Sequence, residues 1–266
     1  MERFFKTNIK RWNELVEIHA KSDYYDLEGF KAGTLSLHDI EREALGDVSG
    51  MSLLHLQCQF GLDTLSWARL GAAVTGVDFS DRAIKFAESL SREMNIHARF
   101  ICSNIYDLPK ALDESFDIVY TSYGVVCWLP EIDEWAQIIS KYLKSGGIFL
   151  VVDFHPFAWI FDSDDFTELK VKYSYFHSEE PYLFQREGTY AEPEANVKNK
   201  TYYEWQHSLS DIMNALIRAG LRIQSIKEYP YSIDRLFYFM RKQRGYWRFT
   251  STRYDIPLMF SVKATK

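Results

Sequence analysis

The stretch 51-MSLLHLQCQFGLDTLSWARLGAAVTGVDFS-80 decides the fold. It contains a short apolar run at 52–56, a turn, a segment with helical spacing at 62–70 and a second apolar run at 72–79. Short apolar runs of this kind predict strands that are covered on both faces of a parallel sheet. The stretch therefore predicts a strand–helix–strand unit, in which ligands bind beyond the carboxyl ends of the strands.

An acidic residue, Asp78, stands at the end of the second predicted strand, and the turn before the helix ends at Gly61. Their separation is close to the roughly 20 residues expected between a glycine turn and a ribose-binding acid. A helix amino terminus presents free N–H groups, and a carboxylate can accept hydrogen bonds from ribose hydroxyls. These residues favour a nucleotide site. The alternative is an ordinary strand–helix–strand unit in which Asp78 only caps the next helix.

The same stretch resembles motif I of the class I S-adenosylmethionine-dependent methyltransferases, whose pattern is an apolar strand, an acid and a Gly-x-Gly-x-Gly turn. Gly61 matches the last glycine, and VTGVDFS resembles the second strand of the family. Gln57 and Gln59 replace the first two glycines, and His55 replaces the acid. Without glycine, the turn must keep φ negative at both glutamines or adopt costly left-handed geometry. The chain is most similar to the bacterial subgroup with an HLQC-type motif I.

The resemblance covers roughly residues 45–156 and implies both a fold and a cofactor. The fold would be α/β, a Rossmann-like doubly wound seven-stranded sheet with an antiparallel C-terminal strand. The cofactor would be S-adenosyl-L-methionine, released as S-adenosyl-L-homocysteine after methyl transfer to a small-molecule substrate. The residues implied as cofactor-binding are Tyr25, Gln57, Cys58, Gln59, Gly61, Asp78, Phe79, Asn104, Ile105 and Thr121.

Two of these assignments have competing interpretations. Asn104 stands where the family usually has Asp, and its amide oxygen can still accept from the adenine amino group, with the Ile105 N–H on a ring nitrogen. Alternatively, Asn104 only makes a turn. Tyr25, together with Tyr24 and Phe30, is a candidate aromatic lid by resemblance, or these rings pack on the sheet edge.

The pattern along the chain predicts a single domain, 1–266, in three parts. Residues 1–50 would form an N-terminal cap, residues 51–156 and 207–266 the core, and residues 157–206 a β-rich insertion after the fifth strand, at the substrate end of the pocket. Within the core, the LKSGG segment predicts that a helix ends with Gly146 in its cap.

Catalysis by such a protein consists mainly of positioning, because the cofactor carries the activation. An oxygen or nitrogen acceptor can also need a base. His155 and His207 are the candidates for this role, and each is alternatively a structural histidine. Tyr123 and Tyr190 are predicted to line the substrate pocket, and Glu204 is a further pocket residue.

The composition of the chain limits which classes of partner are expected. The net charge of −6 does not suggest a nucleic-acid or anionic membrane surface. Cys58, Cys102 and Cys127 lack CxxC spacing, which argues against a metal site and fits a reducing cytosol. No signal peptide or transmembrane run is evident. We therefore expect a cytoplasmic protein with no metal, no nucleic-acid partner and no membrane partner; the oligomeric state is not predicted.

Residues 233–257 interleave arginines, among them Arg248 and Arg253, with aromatic side chains. We expect a helical excursion with a buried aromatic face and a solvated basic face. The alternatives are stacking on single-stranded nucleic acid and attraction of an anionic substrate or of an acidic partner surface.

Three other functions stay open. One is a non-catalytic cofactor-binding protein on the same fold. Another is a nicotinamide-dependent oxidoreductase, although the turn lacks the G-x-G-x-x-G that lets the backbone approach a pyrophosphate. The third, nucleic-acid methylation, predicts steeply salt-dependent binding.

Overall fold

The apolar runs of the sequence form the centre of one sheet in the computed structural model, which describes residues 1–251 and 255–266. Its strands are β1 Ser52–Leu56, β2 Ala73–Asp78, β3 Ala98–Cys102, β4 Phe116–Ser122, β5 Leu143–Phe154, β6 Tyr182–Gln185, β7 Thr201–Glu204, β8 Arg222–Tyr229, β9 Arg241–Gln243, β10 Tyr246–Arg248 and β11 Met259–Thr265. Its α-helices are α1 Glu2–Ala20, α2 Leu27–Lys31, α3 Asp39–Leu45, α4 Leu62–Arg69, α5 Asp81–Glu93, α6 Leu108–Ala111, α7 Ile132–Tyr142 and α8 Leu209–Arg218.

The main sheet has seven strands in the order β3-β2-β1-β4-β5-β11-β8. Strands β1 to β5 pair in parallel, and β11 pairs antiparallel with both β5 and β8. The predicted α/β sheet with a reversed final strand is thus confirmed. Because β1 and β4 lie at the reversal of strand order, a crevice forms at their carboxyl ends.

Helices cover both faces of this sheet. On one face, α7 and α8 bury Trp135, Ile139 and Leu216 against β4 and β5. On the other face, α3 and α4 bury Ile40 and Trp67 against β1 and β2. Continuous apolar strands fit this two-sided burial. In the described part of the chain, no helix is long and apolar enough to cross a membrane.

The insertion contains less β structure than the sequence suggests. A two-stranded antiparallel sheet pairs β6 with β7, and the run at 169–176 contributes only a bridge between Phe161 and Val171. Leu169 packs against a buried cluster, but Val171 and Phe176 are exposed, so the run is only partly covered by the rest of the protein. The division into cap, core and insertion stays a prediction.

Two local predictions are wrong. The stretch 233–257 forms no helix in its described part but a β9–β10 hairpin, whose turn places Arg244 and Gly245 at φ 50° and 86°. Arg253 lies outside the described residues. Gly146 does not cap a helix either: α7 ends at Tyr142, and the Gly146 N–H donates to the Lys266 carbonyl at 2.9 Å. Pairing of Leu143 with β4 takes the chain out of the helix early.

Helix α1 is bound to the insertion through its polar side chains. Asn8 exchanges two 2.9 Å hydrogen bonds with the backbone of Tyr203. The buried guanidinium of Arg11 donates to the carbonyls of Gly188 and Asn199, both at 3.0 Å. Burial lowers the pKa of Arg11. Since the cap and the insertion share these bonds, each orders the other.

Replacing Arg11 with alanine should loosen the insertion. The variant leaves several buried carbonyls without a donor, so we expect a loss of about 2–3 kcal/mol in the free energy of unfolding. Urea unfolding measures this loss, and limited trypsin digestion reports faster cleavage within 186–200. The control is Arg3→Ala, which removes an exposed arginine from the same helix. Equal midpoints and equal cleavage rates for both variants would contradict the assigned role.

Candidate active site

A pocket opens at the carboxyl ends of β1, β2 and β3, under helix α1. Five of the predicted cofactor residues line it. They are Gln57, Asp78, Phe79, Asn104 and Ile105. The sequence did not single out three other lining residues, which are Phe5 and Asn8 of α1 and Trp128 after β4.

Asp78 is held rigidly at the floor of this pocket. One carboxylate oxygen accepts from the Gln59 N–H at 2.9 Å and the other from the Ser80 N–H at 2.8 Å. Ser80 itself caps α5 by accepting from Ala83, so Asp78 does not cap that helix with its own side chain. Burial raises the pKa of Asp78 to about 7, and the backbone N–H bonds oppose the shift. Any ligand that donates hydrogen bonds to the charged form of the Asp78 carboxyl therefore stabilises that form.

The motif I turn adopts the left-handed geometry that its glutamines make costly. Gln57, Gln59 and Gly61 have φ values of 58°, 52° and 85°. Side-chain bonds offset part of that cost: the Gln57 amide donates to the Val125 carbonyl at 3.0 Å, and the Gln59 amide donates to the Tyr25 hydroxyl at 2.8 Å. The turn thus keeps the family shape without the first two glycines.

Two residues of the motif, His55 and Cys58, and Thr121 of β4 lie behind the turn rather than in the pocket. His55, in the place of the family acid, bonds through Nδ1 to Thr64 Oγ1 at 2.8 Å, and burial lowers its pKa to about 4. Cys58 is buried, and the Thr121 hydroxyl donates to the Leu56 carbonyl. The predicted cofactor contacts of Cys58 and Thr121 are therefore not part of the pocket lining, although both support its shape.

Asn104 makes the turn that one of its two interpretations predicts, and its contact with adenine stays a prediction. Its side-chain oxygen accepts from the Tyr106 N–H at 3.1 Å, which makes a turn, and the residue also lines the pocket beside Ile105. The turn fixes the orientation of the Asn104 side chain in a pocket that Ile105 and Trp128 also line.

A cluster of tyrosines closes the pocket on the side of the turn. The hydroxyls of Tyr25 and Tyr190 share a short hydrogen bond, and Tyr24 donates to Asp234 at 2.6 Å. The ring of His19 stacks on Tyr25 with centroids 5.3 Å apart. The cap, the insertion and the C-terminal loop thereby meet over Gln59. Neither Tyr25 nor Tyr190 is among the residues that line the pocket, so the cofactor contact of Tyr25 and the substrate contact of Tyr190 stay predictions.

Tyr123, predicted in the substrate pocket, points to the opposite side of β4. Its hydroxyl donates to a carboxylate oxygen of Glu41 at 2.5 Å, beside His38. Burial raises the pKa of Glu41 to about 8, and the nearby charge of Asp63 adds to the shift. Sequence reasoning missed this pair because Glu41 reads as a surface residue of an amphipathic helix.

Both candidate histidines are engaged in structural contacts. His155 Nδ1 accepts from the Phe157 N–H at 3.0 Å, and Nε2 lies 2.9 Å from a carboxylate oxygen of Glu228. His207 Nε2 donates to the Leu129 carbonyl at 2.5 Å, and its ring stacks on His177. Burial lowers the pKa of His207 to about 4. Neither histidine lines the pocket, so their role as bases stays a prediction.

The pocket suits an adenosine group. Asp78 offers carboxylate oxygens for ribose hydroxyls, and Asn104 and Ile105 offer an amide and a backbone N–H beyond β3. Within residues 1–251 and 255–266, no group of His, Cys, Asp and Glu side chains is arranged to hold a metal ion.

Comparison with known proteins agrees with this geometry. Residues 54–151 match the model of a family described as "Methyltransferase domain". An uncharacterised methyltransferase of Synechocystis is 33% identical over 48% of this chain and 59% of its own length. A ubiquinone biosynthesis O-methyltransferase of Alkalilimnicola ehrlichii is 28% identical over 47% of this chain and 54% of its own. The chain thus matches little more than half the length of these relatives.

A solved structure shares the fold over most of the chain. The S-adenosylmethionine-dependent methyltransferase of Mesorhizobium loti superposes with a TM-score of 0.61 at 17% identity. The superposition covers 89% of this chain and all of the other. At this identity the likeness concerns the fold.

Proposed function

We propose that the chain is a class I S-adenosylmethionine-dependent methyltransferase, as the match of residues 54–151 to the methyltransferase-domain family and the fold shared with the solved neighbour support, and that it transfers a methyl group from S-adenosyl-L-methionine to a small molecule. The observation that carries this proposal is the buried Asp78 carboxylate, fixed by two backbone N–H groups in a pocket shared with Asn104 and Ile105. A fixed acceptor at the end of β2 suits the two hydroxyls of a ribose.

When bound, S-adenosylmethionine supplies a methyl group on a positively charged sulfur, which is already a strong electrophile. The residues of the chain then have to bind and orient the two reactants and exclude water. Orientation alone contributes a large part of such a rate enhancement. Asp78 would hold the ribose and Asn104 the adenine. The tyrosine cluster of Tyr24, Tyr25 and Tyr190 would keep water out while an in-line displacement takes place.

The acceptor is proposed to be a small organic molecule. Helix α1 lies over the pocket with Phe5 and Asn8, and Asn8 is bonded to the insertion, which supports an acceptor small enough to enter beneath the helix. The net charge of −6 also disfavours a nucleic-acid substrate. One relative is named as an O-methyltransferase of ubiquinone biosynthesis, which supports an acceptor of this size.

A hydroxyl or amine acceptor must lose a proton, and three side chains are proposed as the base. His155 and His207 keep this role as predicted from the sequence. Glu204 joins them because burial raises its pKa to about 7, close to the value that suits a general base. No hydrogen-bond partner of its carboxylate is seen among the described residues, and it shares a face of β7 with Tyr202.

The test uses methyl-labelled S-adenosylmethionine with a panel of small phenols, catechols and amines and with a small-molecule cell extract. We expect labelled product and an equal amount of S-adenosylhomocysteine, and no product from Asp78→Asn. Saturable cofactor binding without product from any acceptor would overturn the enzyme proposal in favour of a non-catalytic binding protein.

The affinity for S-adenosylhomocysteine should depend on pH. Ribose hydroxyls stabilise the charged form of Asp78, whose pKa in the free protein is about 7, so binding expels a proton. We expect the affinity to rise about tenfold between pH 6 and pH 8, with the gain complete above the free pKa. Calorimetry in buffers of different ionisation enthalpy measures the released proton.

Glu41, Glu204 and Asp234 also have raised pKa values, so a control is needed. Asp78→Asn should remove the pH dependence while these three groups remain. An affinity that is flat or falls with pH in the wild type would contradict the role of Asp78.

A further inference from the structure

Three buried polar atoms near the motif I turn have no hydrogen-bond partner in the described part of the chain. They are Trp12 Nε1 and His19 Nε2 of α1 and Gln57 Oε1 of the turn. A buried polar atom without a partner is costly, and native structures contain few of them. Three such atoms from neighbouring side chains therefore point to a ligand.

The three side chains are linked to the pocket through residues that line it or bond to Asp78. Gln57 and Trp128 line the same pocket as Asp78, and the rings of Trp12 and Trp128 have centroids 5.3 Å apart. The rings of Trp12 and His19 have centroids 6.0 Å apart, and His19 contacts the side chain of Gln59, whose backbone N–H donates to Asp78. Trp12 and His19 therefore stand beside the pocket, on the side of the turn and the tyrosine cluster.

The hydrogen bonds that the other atoms of these side chains make decide which of the three unpartnered atoms are donors. His19 Nδ1 lies 3.2 Å from the amide nitrogen of Gln59, which can only donate, so the proton of the neutral ring is on Nε2. Burial lowers the pKa of His19 to about 4, which keeps the ring neutral at pH 7. The Gln57 amide nitrogen is used on the Val125 carbonyl, so its oxygen is a free acceptor. The set is two N–H donors and one acceptor.

Other unpartnered indoles show why the combination matters. Trp135 Nε1 is also buried without a partner, but it lies in the apolar core with Phe149 and Ile139. No ligand is suggested there, because no second unpartnered polar atom accompanies it. Trp12 Nε1, in contrast, is accompanied by His19 Nε2 and Gln57 Oε1. Two N–H donors and one acceptor are complementary to the carboxylate and the ammonium group of an α-amino acid.

We propose that the N–H groups of Trp12 and His19 bind the α-carboxylate of the cofactor's amino-acid end, and that Gln57 Oε1 accepts from its α-ammonium group. The inference rests on the proposed function, since it concerns the same cofactor. It makes helix α1 part of the specificity of the site. Gln59 and Tyr25 act as positioning residues, because they fix the tautomer and the plane of the His19 ring.

The test compares two ligands that share the adenosine part. S-adenosylhomocysteine has the amino-acid end, and 5′-methylthioadenosine lacks it. We expect Trp12→Phe and His19→Phe each to lower the affinity for S-adenosylhomocysteine by about tenfold to a hundredfold, because each removes a hydrogen bond to a charged group. Calorimetry measures this affinity. Their affinity for 5′-methylthioadenosine should change by less than about twofold.

The control is Trp135→Phe, which removes an indole N–H from the core and should leave both affinities unchanged. Thermal unfolding of every variant checks that it is folded. The inference is overturned if Trp12→Phe and His19→Phe weaken the binding of both ligands equally, or if they weaken the binding of neither. If the wild type binds 5′-methylthioadenosine but prefers S-adenosylhomocysteine by less than about twofold, the inference fails and the proposed function stands. If the wild type binds neither ligand, the proposed function itself fails.

Discussion

Asp78→Asn is expected to weaken the binding of S-adenosylhomocysteine by at least about a hundredfold, because two hydrogen bonds from ribose hydroxyls to a carboxylate are lost or weakened. The amide keeps the shape of the side chain but places an N–H₂ group against the Gln59 N–H or the Ser80 N–H. Isothermal titration calorimetry measures the affinity, and thermal unfolding measures any loss of stability separately.

Asp117→Asn is the matched control for this prediction. Asp117 is also an aspartate in a network, bonded to Ser52 and Lys144, but it lies at the amino end of the central strand β4, away from the pocket. These partners hold the pKa of Asp117 at about 2, so its loss destabilises the protein without touching the pocket. Equal weakening of ligand binding by both variants would mean that the effect is one of stability, and the ribose role would be refuted.

Gly61→Ala is expected to destabilise the protein by about 2–5 kcal/mol, the sum of a left-handed backbone and an overpacked side chain. Gly61 has φ 85°, and a Cβ there would lie 2.8 Å from the ring of Phe100 and 2.9 Å from Ala87 Cβ. Neither neighbour is the flexible end of a long side chain. The turn therefore cannot keep its shape with alanine at this position.

Gly220→Ala separates the cost of the left-handed backbone from the cost of the overpacked side chain. Gly220 has nearly the same φ, 84°, but no atom lies within 4 Å of a Cβ built there. Its replacement should cost only the backbone term of about 1–2 kcal/mol. Urea unfolding of both variants gives the difference, which reports the close packing under the turn. A Gly61→Ala loss no larger than that of Gly220→Ala would show that the packing at Phe100 relaxes.

The sheet could be predicted from sequence because its strands obey local rules. Strand β1 and helix α4 fall within one residue of their predicted bounds, since an apolar run and a helix-ending Gly71 act at short range. The early end of α7 was mispredicted because it depends on the pairing of Leu143 with Phe116, a distant segment of β4. The hairpin around Arg244 was mispredicted although its two strands are neighbours in the sequence, because interleaved arginines and aromatic residues were interpreted as a helix and not as paired strands. Helical spacing of aromatic residues in 233–257 does not reveal that pairing.

The site could be predicted only where it follows the sheet. Asp78 and Asn104 are at strand ends, so their position follows from topology. Trp12 and His19 lie beside the pocket because α1 crosses it with Phe5 and Asn8, and that crossing is supported by the bonds of Asn8 and Arg11 to an insertion far along the chain. Their spacing of seven residues on one helix face was the signal available, and a buried apolar stripe explains it equally well.

The central claim is that the pocket beneath α1 binds S-adenosylmethionine, and calorimetric titration of the wild-type protein tests it most directly. The ligands are S-adenosylmethionine, S-adenosylhomocysteine and NADH, each with folded protein at pH 8. We predict one saturable site for each sulfur compound and no heat of binding for NADH. Binding of NADH with no binding of either sulfur compound would contradict the account and indicate a nicotinamide-dependent enzyme on the same fold.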